Sequence, residues 1–335
     1  MDRPAAVCFL GAGFSHVAGL PLAPQLLTSQ VYVASDAALK RYSSVWHDYS
    51  AWEADKHEPT EVYLSELYAR RQDWRGAQLW HNAVELLAAV LATPRRVDRI
   101  SASPRYLGRI TYPVRCSTHD RFWDVILSKT TLKGVVTTNY DILGERGLRH
   151  RPMKRPFRPG FYYAGFPRPQ VLQGVASPFA RANRDRRVDL EGSVPVFKLH
   201  GSLNWSRLSR GIKMYQDMRA AFRRGGDAAI VPPLPEKEVP CWLLPIWQQA
   251  ARALEDAALW IVVGYSLPSY DTEVCALLAR AGRGHRPLIT LLDPLASQLQ
   301  KVWRRVVPEA QVLALAGLPS GIDEFVESLS DAPAG

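Results

Sequence analysis

Short apolar runs, many of them β-branched, punctuate the chain at 5–10, 134–137, 194–199, 258–263, 287–292 and 311–315. Unbroken runs of this length, without polar alternation, suit strands buried on both faces of a mostly parallel sheet. Pro195 inside the third run makes the start of that strand the least secure. Helical periodicity fills much of the space between the runs. Residues 80–91 place Trp80, Val84, Leu87, Ala88 and Leu91 on one face, and 61–68 form an amphipathic turn or two with Val62, Leu64, Leu67 and Tyr68 apolar. Further helices are expected at 246–254, 271–281 and 322–329, with Asp271 as N-cap after the turn signal Pro268-Ser269.

The pattern predicts an α/β chain with a Rossmann-like, mostly parallel sheet and helices on both faces. One domain spans 1–335, with a helical insertion at about 24–130 and loop insertions at about 150–193 and 206–240. The first loop is basic and too rich in proline for a helix: Arg151, Lys154, Arg155 and Arg158 alternate with Pro152, Pro156 and Pro159, and Arg181, Arg184, Arg186 and Arg187 follow. The second ends in Val231-Pro232-Pro233-Leu234-Pro235. Loops this long in a compact domain are commonly lids, binding loops or disordered segments.

Candidate chemistry gathers where apolar runs end. Gly11-Ala12-Gly13-Phe14-Ser15 follows the first run. Glycines there admit either a pyrophosphate or simply a tight strand-to-helix turn, and His16 at the third glycine position breaks the dinucleotide fingerprint. Ser15 suits phosphate contact or helix capping. Thr137-Thr138-Asn139-Tyr140-Asp141 ends the second run; Asn139 and Asp141 fit helix capping, and equally fit a ligand that satisfies their polar groups. Lys198-Leu199-His200-Gly201-Ser202 ends the third, and His200, followed by a glycine, is favoured over His16 as the reactive histidine. Val263-Gly264-Tyr265-Ser266-Leu267 and Leu292-Asp293-Pro294 end two more; Gly264 and Ser266 suit phosphate or ribose, and Asp293 suits ribose hydroxyls or an ordinary turn.

Composition narrows this picture. Hydrophobic residues make up 47% of the 335, enough for a sizeable core. A formal charge of +10 favours anionic partners, among them a dinucleotide or nucleic acid. Phe157, Phe161, Tyr162 and Tyr163 beside the basic loop are candidate base-stacking residues. The four cysteines, Cys8, Cys116, Cys241 and Cys275, form no Cys-x-x-Cys pair, so no zinc ribbon is expected; Cys8 and Cys275 read as core thiols. No leader precedes Gly11 and no apolar run approaches the roughly 20 residues that span a bilayer, so a cytoplasmic protein without membrane association is expected.

The ordered set of motifs resembles the sirtuin superfamily, most closely the bacterial sirtuin-like NAD-cleaving proteins of antiphage defence. Gly11 to Ser15 with Gly19-Leu20-Pro21 is similar to that branch's start. Thr137 to Asp141 corresponds to the sirtuin Thr-Gln-Asn-Ile-Asp motif, and Leu199-His200-Gly201 to the segment of the catalytic histidine. Gly264 to Pro268, with Asp271, resembles a Gly-Tyr-Ser-Leu-Pro segment, and Pro232-Pro233 with Lys237 and Trp247 the segment before it. Three departures separate the chain from deacylating sirtuins: no zinc ribbon, Thr138 in place of Gln, and Leu22-Ala23-Pro24 where those enzymes carry Asp-Phe-Arg.

The resemblance implies cleavage of NAD as a substrate, without a metal, to nicotinamide and ADP-ribose. Alternatives are an NAD or ADP-ribose sensor without catalysis, and deacylation or ADP-ribosyl transfer. In this reading Asn139 positions water or a ribose hydroxyl, and His200 acts as base or holds that hydroxyl. Asp141 contacts the carboxamide. Gly11, Ala12, Gly13, Ser15 and Ser266 line the phosphates, Asp293 meets the adenosine ribose, and Pro21, Thr138, Gly264 and Tyr265 complete the dinucleotide-binding set. A toxic NAD-cleaving domain must be restrained. With only a short helix expected after the last strand, self-assembly or a separately encoded sensor or regulatory protein is expected, and the basic loop is the candidate contact.

Overall fold

The structure is a computed structural model that describes residues 3–22, 26–27, 42–58, 60–92, 116–149, 161–166, 171–172, 193–209, 211–215, 227–231 and 239–330. The basic stretches at 150–158 and 181–187, the prolines at 232–235, Lys237 and the side chain of Ala88 lie outside them.

Every apolar run contributes a strand. They are β1 (Ala5–Leu10), β2 (Thr131–Thr137), β5 (Val194–Lys198), β9 (Leu259–Val263), β10 (Leu288–Leu292) and β11 (Gln311–Leu315), with the short β3 (Phe161–Tyr163) and β4 (Val171–Leu172) at one edge. The order is β11-β10-β9-β1-β2-β5-β3-β4; all neighbours run parallel except β3 and β4. Leaving the edge pair aside, this is a doubly wound sheet whose winding reverses beside β1. Right-handed crossovers then put the connecting helices of the two halves on opposite faces. The pairs Leu10–Thr137, Leu10–Val263, Val263–Leu292 and Thr137–Lys198 stand side by side, so five strands end level at one rim. Open α/β sheets bind ligands at such a rim, where the winding reverses.

The helices are α1 (Ala12–His16), α2 (Ser43–Lys56), α3 (Thr60–Ala69), α4 (Trp74–Ala92), α5 (Ser117–Lys129), α6 (Leu143–Arg149), α7 (Leu244–Glu255), α8 (Thr272–Ala281), α9 (Ala296–Val306) and α10 (Gly321–Ser330). Two hydrophobic cores result. The larger lies on the sheet and includes Trp260 of β9, Trp303 of α9 and, from α5, Phe122, Trp123 and Ile126. Helix α5 packs on the sheet core. The second core joins α2, α3 and α4 through Tyr49, Tyr63, Leu64, Leu67, Leu86 and Leu87, and reaches Ile142 and Leu143 beyond β2. Within α3 the buried face runs through Thr60, Tyr63, Leu64 and Leu67, whereas Tyr68 is exposed. In α4 the buried positions are Ala83, Leu86, Leu87 and Leu91, with Trp80 and Val84 at the flank.

Two sequence expectations are corrected. The stretch 206–240, read as irregular, contributes to a three-stranded antiparallel sheet of β7 (Gly211–Met214), β6 (Gly201–Leu208) and β8 (Asp227–Ile230), in that order. Hydropathy hides β6 because Ser202, Asn204 and Ser206 are buried along with Leu203 and Trp205. Two of them are paired: the Ser202 hydroxyl reaches Asn204 Oδ1 at 2.6 Å, and Asn204 Nδ2 donates to the Tyr215 carbonyl at 2.7 Å. Base stacking by Phe161 and Tyr163 is also corrected, because β3 buries both in the sheet core.

Cys8 is buried and Cys275 partly so; burial pushes the Cys8 thiol up. Among the described residues, no helix is long and apolar enough to cross a membrane. Among the same residues, no group of three or more His, Cys, Asp or Glu could hold a metal ion.

Candidate functional site at the sheet rim

The rim is built around a backbone-to-backbone contact between two turns. Gly11 N–H donates to the Val263 carbonyl at 3.0 Å, and Gly13 N–H to the Gly264 carbonyl at 2.8 Å. A Cβ on Gly264 would lie 2.4 Å from the Gly13 Cα, and Gly264 has φ of +61°, which L side chains rarely adopt. These glycines are thus required by each other. The approach that the sequence left open to a pyrophosphate is, in this structure, an approach of one loop to its neighbour. Ala12 is half-buried between them and Pro21 is buried. Ser266 is exposed at the outer side of the second turn.

Asn139 ties the second strand end to the first. Its Nδ2 donates to the Gly11 carbonyl at 2.7 Å and to Ser15 Oγ at 3.1 Å, and its backbone N–H meets Thr137 Oγ1 at 3.0 Å. Thr138 N–H donates to the Leu10 carbonyl at 3.2 Å. Asp141 is turned inward: Oδ1 accepts the Leu143 N–H at 2.9 Å, starting α6, and its carbonyl accepts from the Lys198 ammonium. Asp293 likewise accepts the Leu295 N–H at 2.8 Å, opening the turn into α9, and it lies two strands away from β1. Both aspartates make the local turn contacts that their positions also allowed.

His200 follows β5 and is buried, as is Asp271. Leu199 N–H donates to the Thr137 carbonyl at 3.0 Å, so the two strand ends that carry Asn139 and His200 run side by side. The imidazole is bounded by Tyr140 and Trp247, each 6.3 Å away between ring centroids. Trp247 is itself fixed by its Nε1 hydrogen bond to the Leu199 carbonyl at 2.9 Å. His200 Nε2 stands 3.4 Å from Asp271 Oδ1, while the other carboxylate oxygen accepts the Tyr265 hydroxyl at 2.7 Å. Burial, with Asp271 adding to it, holds the Tyr265 phenol far above its usual value, so it remains a donor. The segment from Gly264 to Asp271 therefore crosses over the rim from β9 to β5. Within it Leu267 is buried with φ of +54°, strained for a non-glycine residue. His16, the competing histidine, is exposed, and its Nδ1 lies 2.9 Å from the Leu20 carbonyl.

Sequence reasoning missed two parts of this arrangement. Asp271 was expected to cap α8; it occupies the N-cap position, but its side chain makes no cap hydrogen bond and faces His200 and Tyr265 instead. The second part is a buried ion pair beneath the rim, Lys198 Nζ to Glu145 Oε1 at 2.8 Å, both side chains at most 3% exposed. Burial raises the Glu145 carboxyl and Lys198 opposes that rise. Tyr163 joins the pair at 3.4 Å from Glu145. A lysine closing an apolar strand was the available signal, because a buried ammonium needs a counter-charge.

No family model matches the chain, and no curated protein is significantly similar to it. Solved structures do resemble it. One comes from work on the mechanism and regulation of Sir2 enzymes (15% identity, 98% of this chain and 92% of that chain, TM-score 0.42). Another is a Sir2 homologue in complex with NAD (14% identity, 99% and 91%, TM-score 0.41). A third is Sir2Tm bound to a propionylated peptide (13% identity, 98% and 94%, TM-score 0.42).

Proposed function

We propose that the chain is an NAD hydrolase that cleaves the nicotinamide glycosidic bond, acting as a toxic effector in antiphage defence. The observation that carries the chemical part is the level rim of a doubly wound sheet. There the ends of β1, β2, β5 and β9 gather a glycine turn, Asn139 and a buried His200–Asp271 pair. The defence role rests on the resemblance of the motifs alone.

The reaction suits these groups. The C1′–N bond breaks with its electron pair passing to the pyridinium nitrogen, releasing neutral nicotinamide and leaving oxocarbenium character on the ribose. A water oxygen bonds to C1′ and loses a proton to His200, giving ADP-ribose. Asn139 holds the water or a ribose hydroxyl in line, a gain from orientation. Asp271 is a positioning residue: it fixes the ring of His200 and stabilises its protonated form, as the third group of a nucleophile–base–orienter set does.

The test is the purified chain with NAD, followed for nicotinamide and ADP-ribose, alone and with separately encoded candidate partners. Asn139→Ala and His200→Ala should each lower turnover by about 100-fold or more while thermal melting is retained. Asp271→Asn should displace the pH profile of turnover rather than only scale it. Unaltered turnover in both alanine variants would reject the site. Release of nicotinamide with the ADP-ribosyl group appearing on a protein or an acyl group, and no free ADP-ribose, would replace hydrolysis by transfer or deacylation. Binding of NAD without any cleavage in every condition would make the chain a sensor.

A further inference from the structure

Glu61 lies in the first turn of α3, where a glutamate ordinarily faces water. Here it is 5% exposed, on the same helix face as the buried Leu64. Its Oε1 accepts the Tyr270 hydroxyl at 3.0 Å, a contact between residues 209 positions apart in sequence. Its Oε2 is buried and, among the described residues, meets no hydrogen-bond donor. Tyr270 adjoins Asp271, the residue that faces His200. Tyr140, on the other flank of His200, is pushed far up by burial, with Asp271, Tyr270 and Glu61 adding to the rise. Glu61 thus belongs to the same cluster, delivered from the second core rather than from the sheet.

A carboxylate oxygen buried without a donor is costly, and such a group persists where something outside the chain supplies the donor. We infer that Glu61 is a ligand-binding residue of the rim. It accepts a hydrogen bond from a neutral O–H or N–H donor of the bound dinucleotide, a ribose hydroxyl or the carboxamide. The inference rests on the NAD-binding part of the proposed function. It gives α3 a purpose: the helix brings a carboxylate to the rim from outside the sheet.

Glu61→Gln keeps size and an acceptor for Tyr270 but removes the charge. Its binding to NAD and to ADP-ribose is measured by calorimetry in the full chain, with His200→Ala in both reference and variant so that NAD is not consumed, beside thermal melting of the ligand-free protein. The expected result is an affinity for NAD weaker by about tenfold or more, the worth of a charge-assisted hydrogen bond. Ligand-free melting should stay level or rise, because an unsatisfied buried charge has gone. Loss for both ligands would assign the donor to a ribose hydroxyl; loss for NAD alone would assign it to the carboxamide. Wild-type affinity in the variant overturns the inference, as does a lower ligand-free melting temperature with affinity unchanged, which would mark a structural glutamate. If the wild-type chain binds neither ligand, the inference falls together with the functional reading; if it binds but does not cleave, only hydrolysis falls.

Discussion

Lys198 and Glu145 show how much of the rim depends on charges far from water. The ammonium holds the Asp141 carbonyl and the Glu145 carboxylate together, so it fixes the turn between β2 and α6 that carries Asn139. Removing one member of a buried pair leaves the other uncompensated, which costs about 3–5 kcal/mol, whereas replacing both by apolar groups is far milder. Lys198→Met should therefore destabilise the protein by that amount in denaturant melts, and Lys198→Met with Glu145→Leu should recover most of the loss. Equal losses in the single and double variants would show that the pair is not a unit. At this scale the sequence was partly legible. His200 stood out because it ends an apolar run before a glycine whose φ is +81°. Asp271 did not, because an aspartate ahead of a helix looks like a cap until its side chain is seen turned to His200 Nε2.

Elements were the most legible scale, for a physical reason. Parallel strands covered on both faces must be apolar throughout, so β1, β2, β5, β9, β10 and β11 each show as a run. Strand β6 escaped because its buried positions alternate serine and asparagine with Leu203 and Trp205, so no apolar run marks it. The short helix α1 is held on the sheet by one contact that the sequence concealed. His119 of α5 stacks on Phe14, 3.9 Å between ring centroids, and its Nε2–H donates to the Phe14 carbonyl at 2.7 Å. Burial lowers the pKa of His119 below its ordinary 6.5. The unfolded chain then takes up a proton on this residue before the folded one does. Its contribution to stability is complete above about pH 6.5 and is lost as pH falls toward the lowered value. His119→Gln should flatten the dependence of melting temperature on pH between about 6.5 and 5. An equally steep dependence in the variant would place the acid sensitivity elsewhere.

Across the whole molecule, two cores meet at the rim. One belongs to the sheet and the other to α2, α3 and α4, and they touch where Tyr140, Ile142 and Leu143 leave β2 and where Tyr270 reaches Glu61. The sequence announced helices there, because helical periodicity replaces apolar runs. It did not announce that α3 leans on the site, because that contact joins residues distant along the chain and lies on a glutamate, a residue type that ordinarily faces water. If the dinucleotide is held between these two bodies, binding must order both. ADP-ribose, the product, is the suitable probe because it is not consumed. Hydrogen–deuterium exchange with saturating ADP-ribose should slow amides in the Gly11–Ser15 turn, in the segment from Gly264 to Asp271 and in the first turns of α3 together. Local opening sets these rates, so a ligand touching both bodies lowers the opening of both. Protection limited to the strand ends, with α3 exchanging as before, would mean that the insertion stands outside the site. Glu61 would then need another partner for its buried oxygen.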